Sequence, residues 1–398
     1  MTEAKRAHGM ETGKRFYDLF TRWDRDRPSE TYSELQGLGD LAVKGGITHE
    51  EALLLLAPPD EIESMLCKKD HSATGMLHNQ AEASIQRLLA WSDTRRRLKV
   101  LVRADSKEKA HEGMLRGAQG IGLIRGEEIL REDGLLQVYQ DWLQCREDEE
   151  RRVHYRRRIV SLWTESWASI FQAAGARPCA VSLVWDALAD SRPEERLELQ
   201  DIQLESLFRA VARCQEEEIY SQLELLALWP MDEEEFLAAY DLIEEVGRQT
   251  LGSHRWDGSL KIGALLHPDV APSDAAGIAR SADLIVMDTE SASRFHLLEQ
   301  GHPLGGPSRL IPLDEPVSEW ASPALLHSHL EETVRVIRMI KPNMILRAGG
   351  DIRSSDLRTV YRLEILGVCC APEDVAAVKL TGLRLEMSDD RFTSAEEA

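Results

Sequence analysis

Residues 117–130 read GAQGIGLIRGEEIL. The apolar run at 121–124 has glycines around it and ends on Arg125, Glu127 and Glu128. A run this short, bounded by a turn residue, has the length of a buried strand. The same pattern repeats outward in both directions. Strand-like runs stand at 99–102, 121–124, 180–184, 223–228, 260–266, 284–287 and 344–346. Helical periodicity lies between them at 107–117, 135–173, 199–217, 232–250, 272–281, 323–340 and 354–366. Strands alternating with helices predict βα units on a parallel sheet. Seven runs are one short of an eight-stranded α/β barrel of the TIM type. The missing strand is sought between Asp186 and Gln222, near 197–202. The expected fold is therefore a (β/α)8 barrel whose fourth strand is irregular or absent.

In such a barrel the chemistry sits where strands end and βα loops begin. The residues following the runs are Arg103 and Asp105; Arg125, Glu127 and Glu128; Trp185 and Asp186; Trp229 and Asp232; His267 and Asp269; Asp288 and Glu290; Arg347 and Asp351. Arginines and carboxylates converging on one mouth suit a small anionic ligand, with or without a metal. Ordinary ion pairs at a polar rim are the competing reading.

The chain has 398 residues and a net charge of −21, which disfavours nucleic acid and anionic membrane as partners. The basic runs at 95–97 and 156–158 sit among acids and are expected to be solvated helix faces. No apolar run reaches the ~18–20 residues of a membrane span, and the first residues lack the apolar core of a signal peptide. The cysteines follow no zinc or CxxC spacing. Reduced thiols in a cytoplasmic protein are expected, with Cys369 and Cys370 as strand or core residues.

Four segments are expected: a polar stretch at 1–35, a helical module and linker at 36–87, the barrel at 88–387 and an acidic tail at 388–398. In the module, Thr48 and Glu51 form a capping box, and Pro58 and Pro59 end its helix.

Three stretches, residues 88–100 (LLAWSDTRRRLKV), 117–130 and 262–287 (IGALLHPDVAPSDAAGIARSADLIVM), resemble the C-terminal domain of the pyruvate phosphate dikinase family, as does the module at 38–66. The resemblance implies a phosphoenolpyruvate- and pyruvate-binding barrel, a homodimer formed through it, and Mg²⁺ at its mouth. The family's G-I-G-L-x-R-T-E strand keeps its phosphate-gripping arginine here as Arg125. Its V-T-I-R arginine is replaced by Leu183. The magnesium-binding glutamate of M-I-E-I-P-R falls on His267. The loop G-T-N-D-L-T-Q aligns with DTESASR, residues 288–294, so Glu290 and Ser291 stand for asparagine and the second metal-binding aspartate. I-C-G-E-H-G-G-D aligns with MILRAGGD, which puts Ile345 at the catalytic cysteine and Arg347 and Ala348 at the glutamate–histidine pair. Residues 67–87 carry no Gly-Gly-x-Thr-Ser-His, and no glycine-rich phosphate loop is found.

Isoleucine donates no proton, and histidine and serine are poor magnesium ligands. A binding or regulatory barrel without dikinase activity is therefore expected. The alternative is a repurposed lyase or transferase acting on a phosphorylated or carboxylated metabolite. It would use His267 as base, Arg103, Arg125 and Arg347 as anion clamps, and Asp288 and Glu290 as a rebuilt metal site.

Overall fold

The computed structural model describes residues 75–132, 134–184, 193–252, 260–268, 270–289 and 323–388. Eight parallel strands close a barrel in chain order: β1 Lys99–Ala104, β2 Ile121–Arg125, β3 Pro178–Ser182, β4 Gln222–Leu228, β5 Lys261–Leu266, β6 Leu284–Asp288, β7 Ile345–Gly349 and β8 Gly367–Cys370. β1 closes the ring by pairing with β8.

The expected gap at the fourth strand is not there. Residues 197–202 lie inside the helix Pro193–Glu216, and β4 is the regular strand Gln222–Leu228. The strand the sequence reading lacks is β8, with four residues, GVCC. The expected helix over 135–173 is two helices, Leu135–Gln144 and Glu149–Ala174. Asp148 caps the second by accepting from the Arg151 N–H.

The strands are buried on both faces, which is why they read as near-continuous apolar runs. Leu101, Leu123, Ala180, Leu226, Leu265, Val286 and Cys369 form a cluster that takes in all these strands except β7. Ile345 of β7 packs against it. Strand register carries the inward face along the sheet: Leu226 pairs with Ser182 and with Gly263, and Val286 pairs with Leu265 and with Arg347.

One irregularity sets the site. β2 is bulged: it spends Ile121 to Leu123 against Val102 to Arg103 of β1, and Ile121 to Ile124 against Cys179 to Val181 of β3. An inserted residue reverses the alternation beyond it. Without the bulge Arg125 would share the outward face of Ile121; with it, Arg125 turns into the barrel. Gly122 stands at the bulge because a Cβ there would lie 2.4 Å from the Cys369 Sγ and 2.7 Å from the Leu101 Cβ.

The chain's contacts divide into two units: residues 99–352 with 359–372, which hold the barrel, and residues 1–98, 353–358 and 373–398. In the second unit the helices Gly75–Arg95 and Val375–Ser388 pack together. Buried Lys379 meets Asp93 at 2.7 Å, and Glu386 accepts from the backbone N–H groups of Arg97 and Leu98 at 2.7 and 3.0 Å. The run at 95–97 is thus not wholly a solvated face: Arg96 is buried and donates to the Leu98 carbonyl and to Ser92. The module at 38–66 and residues 389–398 of the acidic tail lie outside the described residues.

Candidate functional site

Arg125 ends β2 with its side chain fully buried. Its Nη2 donates to both oxygens of Asp288, at 2.7 and 2.8 Å. Asp288 ends β6, and three strands separate β2 from β6 either way round the ring, so the pair crosses the barrel. A buried guanidinium is tolerated only with such a partner. Trp229, just after β4, donates its indole N–H to the Asp288 Oδ2 at 2.9 Å. The same ring lies 5.8 Å from the Arg125 Cζ, in cation–π range. His267, just after β5, meets Trp229 edge-on with ring centroids 5.7 Å apart. Trp229 holds this place with φ +49°, a left-handed backbone that a non-glycine residue adopts only under constraint. Thr289 ties the end of β6 to β7, donating from N–H and hydroxyl to the Gly349 carbonyl at 2.8 and 2.7 Å.

The structure therefore brings Arg125, Trp229, His267 and Asp288 together. Arg103 is nearer the rim. It donates to Glu128 at 2.6 Å and lies 3.6 Å from Asp105. Glu128 belongs to the short helix Gly126–Leu130, whose first residue is glycine because a Cβ at 126 would strike the Gln203 Nε2 at 2.3 Å. Gln203 uses that space to clamp the end of β3, accepting from Val184 N–H and donating to the Ser182 carbonyl.

Arg347 stands elsewhere. It pairs with Glu224, the third residue of β4, through two hydrogen bonds, one of them Nη2 to Oε1 at 3.0 Å. The Lys261 ammonium, on the first residue of β5, is 3.5 Å from the same carboxylate. A Cβ on Gly367, the first residue of β8, would lie 2.8 Å from the Arg347 Cγ. The guanidinium thus points to the N-terminal end of the barrel, the foot. Arg347 does not join Arg125 in an anion clamp at the mouth. Burial, and after it the Glu224 carboxylate, push the neighbouring Cys179 thiol up from its ordinary pKa.

Asp288 serves Arg125 and Trp229, and among the described residues no three His, Cys, Asp or Glu side chains are grouped to hold a metal. Glu290, with Trp185, Asp186, Asp269 and Ser291, lies outside the described residues. Ile345 is the first residue of β7, at the foot and packed against the core. β7 delivers Gly349, Gly350 and Asp351 to the mouth.

Two residues went unmarked in the sequence. Ser182 has its hydroxyl buried with no hydrogen-bond partner among the described residues, and it pairs in register with Arg125. Glu224 is the more legible of the two: an acid inside LELLAL, on the inward face, demands a buried cation.

No family model matches the chain. Curated proteins match parts of it. Several of those relatives are pyruvate phosphate dikinases. The chloroplastic enzyme of Mesembryanthemum crystallinum is 27% identical over 144 residues, covering 36% of this chain and 15% of the enzyme. That of Rhizobium meliloti is 24% identical over 127 residues, 32% of this chain and 14% of the enzyme. A histidinol-phosphate aminotransferase of Mycobacterium tuberculosis is 33% identical over 138 residues, 29% of this chain and 38% of that protein. The dikinase matches are weak and partial, and they agree with the closed eight-stranded barrel. No helix among the described residues is long and apolar enough to cross a membrane.

Proposed function

We propose that this chain is a degenerate phosphoenolpyruvate/pyruvate-type barrel that binds or regulates and does not carry out dikinase chemistry. The observation that carries this reading is the pair across the mouth. Arg125, matched to the phosphate-gripping arginine, already holds a carboxylate of its own chain at 2.7 and 2.8 Å. A substrate phosphate would have to displace a buried, charge-assisted contact reinforced by the Trp229 indole. Two further observations support it. Arg347 is engaged by Glu224 at the foot, and the residue matched to the catalytic cysteine is a half-buried isoleucine packed against the core.

The test is phosphoenolpyruvate–pyruvate exchange by the purified chain, with and without Mg²⁺. No exchange above the protein-free rate is expected, and measurable exchange would overturn the reading. His267 as the base of a different reaction is less well supported, because its ring packs edge-on against Trp229.

A further inference from the structure

Asp288 makes the contacts that a bound oxyanion would make. Its two oxygens take the Arg125 Nη2, and one of them also takes the Trp229 indole N–H. Its carboxylate is fully buried, as is the guanidinium it meets. On the strand next to β2, Ser182 stands in register with Arg125, and its buried hydroxyl makes no hydrogen bond among the described residues. A buried hydroxyl without a partner is uncommon and calls for a reason. Guanidinium, indole N–H and hydroxyl are the donors that hold a phosphate or a carboxylate.

We propose that Arg125, the Trp229 indole and Ser182 form an oxyanion site in the floor of the mouth, and that Asp288 fills it as an internal stand-in. Asp288 then decides what the mouth accepts. With the carboxylate in place, small phosphorylated and carboxylated acids are excluded. Without it, the same donors bind them. This rests on the binding reading above and names the residue that enforces it.

The experiment titrates the full chain with inorganic phosphate, pyruvate and phosphoenolpyruvate by calorimetry. Inorganic phosphate carries the phosphate chemistry alone, and pyruvate the carboxylate alone. Asp288→Gly should bind at least one of them ten-fold or more tighter than the unaltered chain. Adding Ser182→Ala should take back several-fold of that gain, and adding Arg125→Met should remove it. A folded Asp288→Gly that binds no tighter overturns the proposal, as does a gain that survives Arg125→Met. Asp288→Asn keeps the shape and drops the charge, so it serves if the glycine variant does not fold. Phosphate should raise its melting temperature more than that of the unaltered chain, and an equal response overturns the proposal. Tight phosphate binding by the unaltered chain also overturns it. Dikinase exchange by the unaltered chain sinks the functional reading; failure of the Asp288 variants to gain affinity sinks only this one.

Discussion

Among the described residues, two ion pairs lie buried inside the barrel, Arg125 with Asp288 and Arg347 with Glu224, and they are built differently. At the foot, Glu224 sits between Arg347 and Lys261, and Lys261 is part-exposed. All the partners lie within the strands. At the mouth, Arg125 and Asp288 face each other from strand ends, with an aromatic ring in a constrained backbone conformation against both and, alongside, a buried hydroxyl that has no hydrogen-bond partner among the described residues. The foot pair has the character of structure, with every charge answered by the sheet itself. The mouth pair has the character of a site held shut. Alike in sequence, the two are told apart by what surrounds them.

The largest effect should come from breaking the foot. Glu224→Ala leaves Arg347 buried without a counter-charge, which typically costs about 3–5 kcal/mol. Replacing both partners by apolar residues, Glu224→Leu with Arg347→Met, should restore most of that loss, since well-packed apolar pairs often match buried ion pairs. Urea unfolding measures both. A single variant within about 1 kcal/mol of the parent would mean that water reaches the pair and that the foot is not structural in this sense.

Next comes the bulge that aims Arg125. In Gly122→Ala the new methyl meets Cys369 and Leu101 well inside contact distance. Overpacking of this kind costs about 1–3 kcal/mol. If the bulge relaxes instead, the register beyond it shifts and Arg125 loses its inward aim. Stability and the Asp288-dependent binding gain would then fall together, whereas a comparable substitution at the foot should lower stability alone.

A smaller loss is expected at the mouth. Trp229→Phe keeps a ring over Arg125 and removes the indole donor to Asp288. A hydrogen bond to a charged group contributes about 1.5–3 kcal/mol, and with Arg125 still on the carboxylate the lower figure applies. The substitution also takes a donor from the oxyanion site, so added to Asp288→Gly it should lower that variant's phosphate affinity several-fold. Lost stability with no change in phosphate response would make Trp229 packing alone.

Much of this fold was legible because parallel strands covered on both faces appear as apolar runs, and seven of the eight did. β8 escaped because it has four residues and ends on cysteines. The fourth strand was sought in a helix because Pro193–Glu216 mixes apolar and acidic residues at close spacing. Arg125, His267 and Asp288 stand at strand ends, where the apolar runs stop, yet the role of Asp288 is not legible in the sequence. Its partner lies 163 positions away, and the inward turn of Arg125 depends on a bulge that IGLI does not announce. Arg347 misled for a related reason. β7 runs on to Gly349, so a residue thought to follow the strand lies within it.

The outer helices provide the control with least burial. Glu149–Ala174 and Pro193–Glu216 are joined side by side by ion pairs: Arg152 with Glu198, and Arg156 with Asp201 and Glu205. Arg152 also lies over the Trp142 ring, its Cζ 4.3 Å from the centroid. Here the charges touch water, so Coulomb attraction is screened and the guanidinium's flat face over the ring carries much of the contact. Arg152→Ala should cost about 1 kcal/mol at most. Arg152→Lys separates the two contributions, because lysine keeps the charge and loses the planar stack. If lysine restores full stability, the ion pair dominates and the outside resembles the foot in kind. If lysine behaves like alanine, packing dominates, and burial is what makes the two pairs inside the barrel costly to break.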